Sequence, residues 1–371
     1  MLLRALLLPG SMRQILLVLL LLSACQAAQA QVQWPSPEIE SVFQRGRDAL
    51  SKGSIRPAVA LFRQVVDAAP GVPEGRRELA NALQLGGAPA EALEVLEPLF
   101  KTKTADPQAY RIGALAWKAT GRPDNSEDLL RKGLKQHPES GLLYHELGVV
   151  EDGKIHLDQA LKAWLDGIEK DPGYYVNYYD AAHSYVFSTK LVWCLLYAET
   201  FLLYESQTPR SAEARKMLLA AYRRFFFPTA ADEKASSSKT RNNEPGNFEE
   251  AVVYTLRRAA PVVSDGITSE SLTMLRTRFI IDWNETFAKK YPYALFQYQD
   301  ELLREGLFDG YCQQLLGRAE NEVGYRAWTS FHPEAVPAYE AWIAAHPFRP
   351  VPGQFYNDKK TKGISLGEAG R

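Results

Sequence analysis

Three cysteines in 371 residues are too few for a disulfide framework. Charge of one sign is missing too. Forty-three Lys and Arg stand against 44 Asp and Glu, and a net charge of -1 leaves no electrostatic excess to hold a polyphosphate, which disfavours nucleic acid as the main partner. The apolar run Ile15 to Leu22 is eight residues long, well short of the roughly 20 that cross a hydrocarbon core. None of the six histidines stands with a second His, a Cys or a carboxylate at metal-ligand spacing. His145-Glu146 lacks the second histidine of a zinc-protease helix. There is no GxSxG elbow, P-loop or dinucleotide fingerprint. These absences leave no catalytic residue, metal site or cofactor to expect. Cys194 and Cys312 sit among apolar residues and read as buried, inert thiols.

What is present begins with an export signal. Arg4 and Arg13 are the only charges before the apolar run, and small residues follow from Ser23 to Ala30, the layout of a secretory signal peptide over residues 1–30. The true start is Met1 or Met12, since Met12-Arg13-Gln14 would itself open a normal signal. Leu22-Ser23-Ala24-Cys25 resembles the lipobox of bacterial lipoproteins, in which the cysteine is lipidated and becomes the first residue. Ala28-Gln29-Ala30 fits ordinary signal peptidase equally well. Either way the expected location is outside the cytoplasm, in the periplasm or at the outer membrane. Lipidated Cys25 would attach the chain to a membrane. Removing residues 1–30 takes away two arginines and no acid, moving the net charge from -1 to -3.

The middle of the chain repeats itself. Gly53, Gly87 and Gly121 are 34 apart, as are Ala58 and Ala92, and Pro138 and Pro172. A period of 20–50 residues marks a repeat architecture. Units start near Ile39, Pro73, Pro107, Gly141 and Tyr175. The fourth carries Tyr144, Leu147-Gly148, Ala160, Trp164, Gly167 and Pro172; the third has Ser126 where an alanine is usual; the fifth has Cys194 there and no closing proline. This pattern resembles the tetratricopeptide (TPR) repeat, a helix-turn-helix unit. The resemblance implies an all-α fold: a right-handed TPR α-solenoid of five units over residues 39–208, followed by a smaller helical C-terminal region.

In that family the first-helix positions 2, 5, 9, 12 and 13 face a groove that holds an extended peptide or partner helix. Here they supply Arg77, Asn81, Gln84, Arg111, Lys118, His145, Tyr179 and His183, with Phe43, Arg47, Leu115, Val149, Asp152 and Phe187 beside them. The resemblance thus implies an unidentified protein or peptide partner. Arg77 with Asn81 is similar to part of a carboxylate clamp, but Leu115 and Val149 depart from the clamp pattern in the next units. A groove basic at Arg77, Arg111 and Lys118 and aromatic at Tyr179, His183 and Phe187 would suit a segment with acidic and apolar parts.

Beyond the repeats, Thr208-Pro209 opens a capping helix over 209–227, since a terminal repeat needs its apolar face covered. Residues 228–246, rich in Ser, Asn and Lys, read as a linker. Residues 247–350 read as helical, with starts at Asn247 and Thr268, and the Gly- and Lys-rich 351–371 as a disordered tail. The expected function is a non-enzymatic TPR scaffold of a bacterial cell envelope, binding a protein or peptide in its groove. The alternative is a glycan-binding protein or enzyme with its site in 247–350. There Trp283, Tyr291, Tyr293, Phe296, Tyr298, Tyr325, Trp328 and Trp342 would form the platform and the repeats a docking arm.

Overall fold

The computed structural model describes residues 33–230, 232, 245–350 and 356–357. The export segment with Cys25, most of the expected linker and most of the tail lie outside the described residues. Every regular element among the described residues is a helix. They come first as hairpins: α1 (Pro37–Ser51) with α2 (Ile55–Ala68), α3 (Pro73–Leu85) with α4 (Pro89–Thr102), α5 (Pro107–Ala119) with α6 (Pro123–Gln136), α7 (Gly141–Gly153) with α8 (Leu157–Lys170), and α9 (Val176–Val186) with α10 (Leu191–Tyr204). The second helices start at Ile55, Pro89, Pro123, Leu157 and Leu191, each one repeat period after the last. Among the described residues the fold is all-α: TPR-like helix hairpins at a regular period, followed by a helical C-terminal region. Its contacts divide it into two compact units, residues 1–98 and 99–371.

The hairpins form because small residues sit where the two helices touch. A Cβ on Gly148 would fall 2.1 Å from Trp164 Nε1, and one on Gly46 would fall 2.6 Å from the Phe62 ring. Ser126 is fully buried at the third unit's alanine position, and its hydroxyl donates to the Ala114 carbonyl at 2.9 Å, so a small polar residue replaces alanine without an unpaired group. The turn between helices is left-handed: Gly53, Gly87 and Gly121 have φ of 72°, 80° and 72°. In the fourth unit that turn is made by Ile155, with φ 63° and its side chain 81% exposed. A β-branched residue there is strained, because its Cβ crowds the following carbonyl.

In the larger unit the repeats do not end on a free cap. α11 (Pro209–Phe226) starts one repeat period after the fifth unit's Tyr175, with a Thr208–Ser211 capping box, and occupies the first-helix place of a further unit. It packs on α9 and α10. The next elements are α12 (Phe248–Ala259), running into a 3-10 turn, α13 (Ser269–Thr286), α14 (Ala294–Arg304), α15 (Phe308–Cys312), extended by a π-turn, α16 (Glu322–Phe331) and α17 (Ala335–Ala345). One hydrophobic core runs from Ala160 through α10 and α11 to Phe348. That core is shared by the last repeat helices, α11 and the C-terminal helices. In the expected tail, Tyr356 stacks on Phe248 with ring centroids 4.0 Å apart, its carbonyl accepts from the Tyr197 hydroxyl at 3.1 Å, and Asn357 is buried.

α10 is apolar nearly all round, as a helix enclosed by protein must be. Its exception, Glu199, is buried and paired with buried Arg276 of α13. Arg276 Nη1 donates to Glu199 Oε2 at 2.9 Å, while Gln299 of α14 and the Tyr311 hydroxyl of α15 donate to Oε1. Tyr222 of α11 lies 3.3 Å from Arg276 Nη1, and the guanidinium sits over the Tyr311 ring at 5.2 Å. Cys312 is buried beside it, its thiol pushed up to about 11 by burial. Breaking a buried pair by removing one partner costs about 3–5 kcal/mol, whereas apolar replacement of both is often neutral. Glu199→Ala should cost an amount in that range in urea unfolding, and Glu199→Leu with Arg276→Met much less; equal costs would show that the pair does not act as a unit. At the strained turn, Ile155→Gly should raise stability by about 1 kcal/mol in the same measurement, since only glycine adopts that backbone freely.

Candidate functional site: the first-helix face

The groove residues named from the sequence fall in both units. In the smaller unit, α1 and α3 line a cleft of about 310 Å3 with Trp34, Phe43, Arg47, Glu74, Arg77 and Glu78 among its walls. Trp34 lies against Phe43 with ring centroids 4.6 Å apart. Arg77 is held by its neighbour Glu78, donating through Nε at 3.3 Å and Nη2 at 3.1 Å. Asn81 and Gln84 are half-buried on the same helix. A guanidinium already facing a carboxylate is a poor clamp for another.

In the larger unit, α5, α7, α9 and α11 lie side by side, and one helix position recurs along them at the repeat spacing: Arg111, His145, Tyr179 and Glu213. These side chains pair across the helices. Arg111 Nε donates to Glu146 Oε1 at 2.8 Å. His145 Nε2 lies 2.9 Å from Asp180 Oδ2, and its Nδ1 lies 3.8 Å from Glu146 Oε1. The Tyr179 hydroxyl donates to Glu213 Oε2 at 2.6 Å. The Tyr174 ring stands 5.9 Å from the imidazole of His145. The result is a ladder of alternating donors and acceptors.

Electrostatics follow from this pairing. Burial pushes the His145 imidazolium toward the neutral form, but Asp180 and Glu146 outweigh it and raise its pKa from 6.5 to about 9. Glu146 is pushed up by burial yet held below the usual carboxylate range by His145 and Arg111. Burial, with Glu146 nearby, pushes Tyr174 up to about 12, and burial and Glu213 raise Tyr179. The face expected to be basic is therefore locally balanced. Glu146, Asp180 and Glu213 are the ladder residues that sequence reasoning missed; the signal available was that Glu146 and Asp180 follow His145 and Tyr179 directly, and that Glu213 continues the periodic series. What stays open beside the ladder is exposed Lys118 on α5 and, after α9, Phe187, 61% exposed, with His183 edge-on to it at 5.6 Å.

The alternative platform in 247–350 does not form. Trp283, Tyr291, Tyr293, Phe296, Tyr298 and Tyr325 are buried, most of them packed around Phe248 and Phe279. Trp328 and Trp342 are half-buried, and each stacks on the histidine one turn later, His332 and His346, whose Nδ1 lies 3.0 Å from the carbonyl of that tryptophan. Among the described residues no His, Cys, Asp and Glu cluster could hold a metal, and no helix is long and apolar enough to cross a membrane.

No family model and no curated protein sequence matches the chain significantly. Several solved structures are similar to it in part. TTC0263, a thermophilic TPR protein of Thermus thermophilus, is 18% identical over 50% of this chain and 98% of its own, with a TM-score of 0.40. MamA from Desulfovibrio magneticus RS-1 is 14% identical over 51% of this chain and 97% of its own, at 0.35. Human IFIT1, solved as a dimer with PPP-AAAA, is 19% identical over 83% of this chain and 65% of its own, at 0.38. The repeat assignment stands on the periodic recurrence of helix starts, left-handed turns and face positions.

The ladder makes stability depend on pH in a definite direction. His145 binds its proton more tightly folded than unfolded, so its contribution is fully present below pH 6.5 and is lost as pH rises through about 9. The loss should be at most roughly 3 kcal/mol. Urea unfolding across that window should show the decline in the native protein and a nearly flat profile in His145→Gln; a parallel decline in both would mean that His145 is not its source.

Proposed function

We propose that the chain is a non-enzymatic interaction scaffold of a bacterial cell envelope, whose first-helix face takes an extended protein or peptide segment. The observation that carries this reading is the ladder. Each of Arg111, His145 and Tyr179 is already paired with an acid on the next first helix, Glu146, Asp180 and Glu213, so the face is held before any partner arrives, and a partner pays little to order it. Phe187 and His183 beside it provide an aromatic contact of the kind enriched at interface centres. Because Arg111 and His145 face Glu146 and Asp180, the fitting segment is one with apolar or aromatic anchors and mixed polar groups rather than a run of acids.

Support for the envelope comes from the sequence: the n-region arginines, the short apolar run, and small residues up to Cys25 and Ala30. The location is the periplasm, with Cys25 as the outer-membrane anchor if it is lipidated. One experiment addresses partner and location together. A photo-crosslinking benzoylphenylalanine replaces His183, or in a second strain the exposed Lys162 of α8, in intact cells. His183 should give a discrete protein adduct in the envelope fraction, lost when Phe187→Ser is added, and Lys162 should give none. The scaffold reading fails if His183 yields no adduct or if both positions capture the same protein; recovery of the adduct in the cytosol would overturn the location.

A further inference from the structure

A cavity of about 530 Å3 shares no residue with the ladder, although Gly173 in its lining precedes Tyr174 directly. The end of α10 contributes Leu203 and Tyr204, α14 contributes Tyr298, α17 contributes Ile343, and the chain after α17 closes it with Phe348 and Arg349. The volume falls within the ~300–1,000 Å3 usual for small-molecule sites. Its walls are aromatic and braced: Phe348 meets Tyr298 edge-on at 5.2 Å and Tyr204 at 5.8 Å, and Tyr204 stacks on Tyr175 at 5.1 Å. The Tyr298 hydroxyl is already committed, donating to the His346 carbonyl at 2.8 Å.

Two polar groups at this cavity are uncommitted. The Tyr204 hydroxyl is buried without a hydrogen-bond partner, a situation that natural structures rarely leave unexplained. Arg349 is exposed and makes no ion pair among the described residues. Arg349 is the one charged side chain in the lining, and the Asp171 carboxylate lies outside the lining, against Gly173. Burial raises the Tyr204 pKa, the nearby Asp171 carboxylate adds to the rise, and the Arg349 charge offsets part of it. An apolar box with one cation at its edge and one neutral donor in its wall is complementary to a molecule with an apolar body and a single anionic end.

We propose that this cavity binds a carboxylate with an aromatic or alkyl body, the carboxylate at Arg349 and the body between Tyr204, Tyr298 and Phe348. A ligand oxygen reaching the wall would give the Tyr204 hydroxyl the acceptor it lacks. The same chemistry is carried by a free aromatic acid and by the C-terminal residue of a peptide.

Isothermal titration of the full chain distinguishes them, with 3-phenylpropionate, its amide, acetyl-Gly-Phe with a free carboxyl, and the same dipeptide amidated. Both acids should bind, and both amides at least tenfold more weakly. Arg349→Gln, an exposed change that leaves the core untouched, should bring the acids down to the amides. Ile343→Trp, which fills the cavity, should remove binding of all four. Tighter binding of the dipeptide would assign the site to peptide termini, and tighter binding of phenylpropionate to a free acid. The proposal is overturned if neither acid binds, if acids and amides bind equally, or if Arg349→Gln keeps the preference for acids.

Discussion

The larger unit is organised around one buried carboxylate. Glu199 sits on a helix that has no solvent-facing side, so its charge must be met inside the protein. Meeting it takes Arg276, Gln299 and Tyr311, with the Tyr222 hydroxyl accepting from the guanidinium, and these side chains come from α11, α13, α14 and α15. A charge buried that way prescribes which helices surround α10 and at what height, a constraint that apolar contact alone does not impose. It is the reason the C-terminal helices read as a continuation of the repeat core rather than as a second domain.

The same interaction reaches the candidate site from behind. α11 presents Tyr222 to the buried network and Glu213 to the first-helix face, where it accepts from Tyr179. The last rung of the ladder is thus positioned by a helix whose other side is tied to Arg276. Rigidity at the face is inherited from the core. This suits a scaffold, in which the cost of ordering the binding surface is met during folding instead of at binding.

Much of the repeat region was legible because a repeat is a local rule. Glycine at the turn, alanine or glycine at the helix contact and proline at the ends each act within a short stretch of chain, so their periodic recurrence survives in the sequence. The site was legible only as a set of positions. Arg111, His145 and Tyr179 were identifiable by register, but their balancing acids Glu146, Asp180 and Glu213 lie one helix over, and pairing across helices leaves no periodic trace in a single unit. The basic groove expected from arginine and lysine alone became a neutral ladder for that reason. Ile155 marks the opposite failure: the period asks for glycine, and the strain of a β-branched residue at φ 63° is visible only in the backbone.

By itself the sequence determined the helical hairpin, its length, its turns and the face each first helix presents, since these follow from side-chain size and backbone freedom within one unit. The tertiary structure decided which charges face each other, that α11 extends the series instead of ending it, that most of the candidate platform aromatics of 247–350 are core instead of surface, and that Tyr356 and Asn357 pack on the protein. Those outcomes depend on partners at least a full repeat apart along the chain, such as Tyr179 with Glu213, Glu199 with Tyr311, and Tyr197 with Tyr356. Contacts at that separation are set by packing of whole helices around a buried charge and an aromatic core, which no local spacing rule records.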